Sequence, residues 1–217
     1  MNVITDNLDA YVAGFVVTLQ LTLLAAAASM ALGLVLAALR VSPIRVLRAV
    51  SATYVEVVRN TPLTLVFFFI VFVAPQLGNL PPIDFGTTAL LALSLYTAAF
   101  VAEAVRSGIN SVGVGQAEAA RAVGLTFGQT LREVVLPQAV RTVIPPLINV
   151  FIALTKNTSV AAGFGVVELM GTGRRLGVVN AADGEWVLIG VAIFYLLITI
   201  PLGLVAGAVE RKVAFSR

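Results

Sequence analysis

Long runs of apolar residues, separated by short groups of charged and helix-breaking residues, dominate the sequence. The first uncharged run covers residues 10–39, and further apolar runs cover about residues 54–75, 85–109, 138–160 and 185–210. A helix that crosses a bilayer needs about 20 predominantly apolar residues, so runs of this length predict one span each, although charged residues interrupt the fourth. The pattern predicts an all-α integral membrane protein, with five transmembrane helices in one domain over residues 1–217.

The first two connections are predicted to be loops. Pro43 lies in the first, among Arg40, Arg45 and Arg48. The second span is predicted to begin near Tyr54 or Arg59. It should end at a loop whose helix-breaking residues precede Asp84: Pro75, Gly78, Pro81 and Pro82.

The fourth apolar segment is unusually short. Only 14 uncharged residues separate Arg141 from Lys156, and Pro145 and Pro146 among them should kink a helix. A helix of that length reaches about 21 Å, less than the roughly 30 Å hydrocarbon core. Lys156 therefore lies at membrane depth, or the helix breaks there. The following residues, 161–184, are rich in glycine and predict a partial helix over 166–170 and then an exposed turn.

A polar segment, residues 116–137, lies between the third and fourth spans and is expected to form two short helices. Gly124 can end the first, over about residues 116–123, in a left-handed cap. Thr126 opens the second, with Gln129 three residues later as its capping-box partner. Pro137 should end or bend it. Such a helix–elbow–helix is a candidate docking element for a soluble partner, and the alternative is a solvated loop.

Composition excludes several classes of function. The chain is 59% hydrophobic and only 12% charged, with a mean hydropathy of +1.00, whereas soluble domains are about 25% charged. It has no cysteine and no histidine, which excludes disulfides, thiolate or histidine metal sites and Ser-His-Asp chemistry. No GxxxxGK[ST] phosphate loop occurs. The first charges are Asp6 and Asp9, so no cleavable secretory signal is expected.

The distribution of charge predicts the orientation. Most basic residues fall on one side of the predicted spans: Arg40, Arg45, Arg48, Arg106, Arg121, Arg132, Arg141, Arg211, Lys212 and Arg217. The other side is mainly acidic: Asp6, Asp9, Asp84, Asp183 and Glu185, with Arg174 and Arg175 as exceptions. The positive-inside rule then places the N-terminus outside, and residues 116–137 and the C-terminus in the cytoplasm.

Polar residues within or beside the spans are candidates for a solute path. The tetrad Lys156-Asn157-Thr158-Ser159 either lines such a path or ends a span, with Lys156 reaching the outer interface. Glu103 and Arg106 share one helix face, where a mutual ion pair is the simpler interpretation. Arg59, followed by Thr61, either anchors a span at the interface or presents polar groups to an anionic solute. Glu168 is expected to cap the outer segment.

Four stretches resemble a known family. In residues 116–137, Glu118-Ala119-Ala120 is followed by Gly124, Val134 and Leu136-Pro137 at the spacing of the EAA loop in permease subunits of bacterial ABC importers. The segments RNTPL (59–63), AEAVRSGI (102–109) and KNTS (156–159) resemble signatures of the polar amino-acid branch. Within that branch, the sequence looks most like the glutamate-system permeases.

The resemblance implies a transmembrane subunit of an ATP-driven importer, not itself an enzyme, in the bacterial cytoplasmic membrane. Glu118, Ala119, Ala120 and Gly124 would dock in a groove of an ATPase subunit. The implied partners are two ATPase subunits, a second homologous or identical permease, an extracellular solute-binding protein, the amino acid and membrane lipid, but no nucleic acid. ATP and Mg²⁺ would bind the ATPase subunits, and no cofactor or metal is expected in this chain.

The tetrad departs from the family pattern, which often has Asp at the position of Asn157. Loss of that negative charge suggests an acidic solute, glutamate or aspartate, at a site lined by Lys156, Asn157, Thr158 and Arg59. The alternatives are an ATP-independent secondary transporter or channel, an intramembrane enzyme built on Ser159 and Lys156, and a scaffolding subunit. The absence of an inverted repeat disfavours the first.

Overall fold

The computed structural model describes residues 2–78 and 83–214, and every regular element in these ranges is helical. The α-helices are α1 (Asn2–Asp6), α2 (Leu8–Arg40), α3 (Arg45–Arg59), α4 (Leu63–Phe68), α5 (Ala74–Gly78), α6 (Phe85–Asn110), α7 (Val114–Ala122), α8 (Phe127–Gln129), α9 (Leu136–Asn157), α10 (Leu169–Val179) and α11 (Gly184–Ala214). Two π-helical turns, Phe69–Val73 and Thr130–Val135, join α4 to α5 and α8 to α9. Two 3-10 segments, Thr158–Phe164 and Ala181–Asp183, flank α10.

Four continuous helical stretches are long and apolar enough to cross a membrane: Leu8–Arg40, Phe85–Asn110, Phe127–Phe164 and Ala181–Lys212. A fifth span is formed if the bent pair Arg45–Arg59 and Leu63–Gly78 counts as one. The predicted all-α membrane fold is therefore confirmed. Of the predicted second loop, Pro81 and Pro82 lie outside the described residues.

Small residues bring the central helices α2 and α6 together. A Cβ atom added to Gly33 of α2 would lie 2.5 Å from Cγ1 of Val101 in α6, so the two backbones are closer than an alanine at position 33 allows. Buried alanines continue this contact along α6: Ala89, Ala92, Ala98, Ala99 and Ala102. Close packing of small residues is a main source of helix association in lipid, where apolar burial offers little driving force.

The second span, predicted over about residues 54–75 with a start near Tyr54 or Arg59, is divided by a break after Arg59. Helix α3 ends at Arg59, and α4 begins at Leu63 after a bend of 108°. Pro62 supplies no backbone N–H, while the side chains of Asn60 and Thr61 each donate to a carbonyl of the last turn of α3, at 2.7 Å. The first loop is also shorter than predicted, because Arg45 and Arg48 belong to α3 rather than to the loop.

Pro75 lies in α5 rather than in the predicted loop, and Pro137, which was predicted to end or bend its helix, does not end it. Each is the second residue of an α-helix that directly follows a π-helical turn. The N–H of Ala74 bonds the carbonyl of Phe69, and the N–H of Leu136 bonds that of Leu131, five residues earlier in both cases. The wider turn places each proline in the first turn of the next helix, where its missing N–H is tolerated. Pro145 and Pro146 likewise lie inside α9.

The glycine-rich segment also differs from its prediction. Instead of a partial helix over 166–170 and an exposed turn, the chain forms α10 over Leu169–Val179. Its glycines permit close approach: a Cβ at Gly171 would lie 2.5 Å from the carbonyl oxygen of Val166, and one at Gly173 2.5 Å from Cγ2 of Val191. The intrinsic cost of glycine in a helix is thus offset by packing that larger residues would prevent.

Candidate functional site

The segment between α6 and α9 has the predicted local chemistry. Helix α7 ends in a Schellman motif, in which the N–H of Gly124 bonds the carbonyl of Arg121 and the N–H of Leu125 bonds that of Ala120. Gly124 has a φ of +92°, so its left-handed cap is confirmed. The capping box of Thr126 and Gln129 is also confirmed. The second helix is not separate, because it continues through the π-helical turn into α9.

This segment presents an unusual surface, which we call the docking segment and define as residues 114–129. Glu118 and Ala119 are exposed, whereas Ala120 is only 7% exposed and packs inward. Three apolar side chains, Val114, Val123 and Phe127, are 72%, 80% and 70% exposed. Exposed apolar side chains grouped on a short connecting segment and at the very start of the following span are typical of an interaction surface.

A cavity of about 510 Å³ lies between α6 and α9. Its polar lining comes from Tyr96, Thr97, Asn149 and Asn157, and its apolar lining includes Phe100. The hydroxyl of Thr97 is buried and has no hydrogen-bond partner among the described residues. A largely apolar cavity of this size, with a few polar groups directed into it, has the composition of a small-molecule site.

A cluster of three charged side chains adjoins the cavity. The Glu103 carboxylate accepts from Nε of Arg106 at 3.1 Å and from its NH2 group, and lies 3.6 Å from NH1 of Arg59. The predicted Glu103–Arg106 pair is thus confirmed. The Arg59 guanidinium also lies 5.6 Å from the centre of the Phe100 ring, which lines the cavity. One carboxylate between two guanidiniums leaves the cluster with one net positive charge.

The tetrad 156–159 does not face a single site. Asn157 lines the α6–α9 cavity, but Lys156 and Ser159 line another groove, beside Tyr195 and Leu188 of α11. Thr158 is fully buried. The hydroxyls of Thr158 and Ser159 donate to the carbonyls of Thr155 and Lys156, both at 2.7 Å, where α9 gives way to the 3-10 segment.

The proposed common site of Lys156, Asn157, Thr158 and Arg59 therefore needs correction. Adjacent residues on a helix point about 100° apart, so a contiguous tetrad cannot line one wall. Of the four residues, only Asn157 lines the cavity. Arg59 lies next to the cavity, where its guanidinium packs over the ring of Phe100. Thr61 lies at the α3–α4 bend, where its hydroxyl donates to the carbonyl of Val57.

Glu168 lies at the centre of a buried polar network, of which the sequence predicts only the cap on the outer segment. Glu168 caps α10 as expected, since Oε1 accepts from the Gly171 N–H at 2.8 Å. Its side chain is also fully buried, and Oε2 accepts from the hydroxyls of Tyr195 at 2.6 Å and Thr18 at 3.4 Å. The partners belong to α11 and α2, 27 and 150 residues away in sequence. In the sequence, only Tyr195 in the last apolar span and Thr18, one of several polar residues in the first, could have indicated these partners.

Comparison with known proteins agrees with these features. Residues 29–215 match the family described as "Binding-protein-dependent transport system inner membrane component". The glutamate transport system permease protein GluC of Corynebacterium efficiens is 45% identical over 214 residues, which cover 94% of this chain and 93% of GluC. The chain belongs to the permease family of amino-acid ABC importers.

Other relatives extend the same picture. The probable glutamine ABC transporter permease GlnM of Bacillus subtilis is 38% identical, over 98% of this chain and 97% of GlnM. A chain in the crystal structure of an amino acid ABC transporter with histidines is 30% identical, with a TM-score of 0.90 over 96% of both chains. The importer permease is thus a multi-pass inner-membrane protein related to transporters of several polar amino acids.

Proposed function

We propose that this permease subunit carries an acidic amino acid, glutamate or aspartate, inward across the cytoplasmic membrane. The observation that supports this substrate most directly is the α6–α9 cavity, whose lining includes Asn157 and, among the described residues, no acidic side chain, with the net-positive Arg59–Glu103–Arg106 cluster beside it. A positive potential near a cavity with low-dielectric walls favours an anion. The glutamate transport named for GluC points the same way.

Asn157 is the residue we assign to substrate selection. A carboxylate at this position would repel the carboxylates of an acidic solute across a cavity whose lining is mostly apolar. The amide of asparagine can instead donate hydrogen bonds to a carboxylate. Arg59 contributes at longer range, because Glu103 already pairs with its guanidinium.

The docking segment is assigned to an ATPase partner. Its exposed Glu118 and Ala119, and the elbow at Gly124, provide a protruding surface with apolar side chains at both ends. The full importer would contain two ATPase subunits, which bind ATP and Mg²⁺, a second permease and an extracellular solute-binding protein. The N-terminus would lie outside, with the docking segment and the C-terminus in the cytoplasm.

Substrate choice is tested by uptake into proteoliposomes that hold the assembled importer. Wild type should take up labelled glutamate or aspartate in preference to glutamine and arginine. Asn157→Asp should reduce acidic amino-acid uptake at least tenfold, since a nearby like charge costs more than about 1.4 kcal/mol in a low-dielectric site. Lys156→Ala is the matched control and should change uptake little, because Lys156 lines a different groove. Equal acidic amino-acid uptake in Asn157→Asp and wild type would refute the assignment.

Coupling is tested separately. Glu118→Lys and Gly124→Asp should abolish uptake while membrane insertion stays normal, because both change the exposed docking segment. Uptake that persists when the cognate ATPase is omitted would instead favour an ATP-independent transporter.

A further inference from the structure

Helix α3 has three faces of different character. Successive residues of an α-helix point about 100° apart, so positions 46, 50, 53 and 57 form one stripe along it. The valines of this stripe, Val46, Val50 and Val57, are 69%, 59% and 59% exposed. A second face, which includes Ser51 and Val55, is buried against α2 and α6. The third face is polar and carries Arg45, Arg48, Glu56 and Arg59.

Helix α3 crosses the ends of α2 and α6 rather than running back along α2. Glu56, eleven residues after the start of α3, lies 3.5 Å from Arg40, the last residue of α2. A helix returning alongside α2 would have carried Glu56 about 16 Å away from that end. At the other end of α3, Arg59 lies 3.6 Å from Glu103, seven residues before the end of α6. Both ends of α3 therefore stay near the ends of α2 and α6 that the proposed orientation places in the cytoplasm.

A position in the plane of the membrane surface gives each face of α3 a suitable environment. The three faces lie about 120° apart around the helix. With the buried face against α2 and α6, the valine stripe enters the acyl region while the polar face stays among the headgroups. Interfacial helices bury an apolar face about 5–10 Å into this boundary and carry arginine or lysine on their polar face. The bend of 108° after α3 then directs α4 away from this plane.

Cations are in excess around α3. The charged side chains of α3 and of the adjoining ends of α2 and α6 are five arginines and two glutamates: Arg40, Arg45, Arg48, Arg59, Arg106, Glu56 and Glu103. Both glutamates already pair with arginines. Within residues 2–78 and 83–214, no acidic side chain forms an ion pair with Arg45 or Arg48. Arg48 is held in place by the carbonyls of Ser42 and Pro43, at 2.8 and 3.1 Å, which leave its charge uncompensated.

We propose that α3 lies in the cytoplasmic interface of the membrane and binds anionic phospholipids, with the valine stripe among the acyl chains and Arg45 and Arg48 at the lipid phosphates. A guanidinium matches a phosphate group through paired hydrogen bonds. Anionic lipids give the cytoplasmic leaflet a negative surface potential, and each nearby arginine strengthens binding to it about fivefold. This lipid site does not depend on which solute the α6–α9 cavity accepts.

The first experiment locates the valine stripe. The sequence has no cysteine, so Val50→Cys provides a unique thiol for a nitrobenzoxadiazole fluorophore. In the assembled importer in lipid nanodiscs, lipids with nitroxide-labelled acyl chains should quench this fluorophore strongly and aqueous iodide should quench it weakly. Arg45→Cys, on the polar face of the same helix, is the matched control, and iodide should quench its fluorophore strongly.

Two results of this experiment would overturn the membrane position of α3. If iodide quenches the probes at Val50→Cys and Arg45→Cys equally, the stripe faces water. If neither quencher reaches the probe at Val50→Cys, a protein surface covers the stripe instead of lipid.

A second experiment tests the headgroup. At equal mole fraction and low salt, nitroxide-labelled phosphatidylglycerol should be enriched at the Val50→Cys probe about fivefold or more over nitroxide-labelled phosphatidylcholine. Arg45→Gln should lower this enrichment up to about fivefold, and Arg45→Lys should keep it within about twofold. Arg175→Gln removes an exposed arginine from α10 and is the matched control, which should leave the enrichment unchanged. Equal quenching by the two lipids would overturn the anionic lipid site. Neither experiment measures uptake, so both outcomes are separate from the substrate assignment.

Discussion

Replacement of Glu168 by leucine should markedly destabilise the protein, because the carboxyl group joins three helices inside the apolar bundle. It accepts from the Gly171 N–H, from Tyr195 and from Thr18, and is fully buried. Leucine would leave the first two donors without this acceptor, and an unsatisfied buried donor costs about 1–3 kcal/mol. Tyr195 can turn toward Thr158, 3.5 Å away, so we expect a total loss of about 2–4 kcal/mol.

Two further variants separate the hydrogen bonds from simple packing. Glu168→Gln keeps an acceptor for the Gly171 N–H and should cost only about 1 kcal/mol. Tyr195→Phe removes the donor instead of the acceptor. In a double-mutant cycle, Glu168→Gln/Tyr195→Phe should be less destabilised than the sum of the single variants, by about 0.5–1 kcal/mol, because the residues are in direct contact.

Unfolding of the purified protein in detergent can be followed through Trp186, the only tryptophan in the sequence. It lies near the start of α11, next to Val187, whose carbonyl accepts from Tyr11 of α2. Glu185→Gln alters an exposed carboxyl group in the same turn and should leave the unfolding midpoint unchanged. If Glu168→Leu unfolds within about 0.5 kcal/mol of wild type, the network is not a significant source of stability.

Three other predictions follow from single positions. Gly124→Ala should cost about 1–2 kcal/mol and speed proteolysis of the docking segment, because alanine is strained at a φ of +92°. Gly128→Ala is its control and should neither destabilise the protein nor speed proteolysis, because φ is not positive there and the space around it is open. Gly108→Ala should lower the unfolding midpoint, because its Cβ would clash with Val143, and Gly115→Ala in open space is its control. Hydrogen bonds from Thr87 lower the pKa of Asp84 below its ordinary value, so its stabilisation is full above that value and lost as the pH falls through the lowered pKa. The difference in unfolding midpoint between wild type and Asp84→Asn should therefore persist at neutral pH and vanish in strong acid.

The features that the sequence predicted correctly depend on neighbouring residues. Apolar runs of 20 or more residues identify spans because lipid leaves the backbone no alternative to internal hydrogen bonds. The left-handed cap at Gly124 and the box of Thr126 and Gln129 involve atoms at most a few residues apart. Such features are set by local chemistry, and tertiary packing alters them little.

The wrong predictions share the opposite property. A helix survives Pro137 because a π-helical turn adjusts its register. In α10, Gly171 and Gly173 stand where Val166 and Val191 leave no room for larger residues, so they permit close packing instead of ending the helix. Asn157 faces α6 and Lys156 faces α11, so their different surroundings depend on how these two helices pack around α9. These outcomes depend on contacts between segments that are distant in sequence, and the spacing of residues along the chain does not predict such contacts.

The correction at Pro137 changes how the docking segment can act on the cavity. A hinge at that position would have absorbed a displacement before it reached the membrane. The observed helical stretch instead runs from Phe127 to Phe164, 38 residues without a break. Phe127, 70% exposed in the docking segment, and Asn157, which lines the cavity, are thus parts of one element about 45 Å apart along its axis. Motion imposed at one end is transmitted most directly as a rigid-body tilt of this element. The middle of α9 is where the helix bends most easily, because Pro145 and Pro146 lack the N–H groups that would donate backbone hydrogen bonds there.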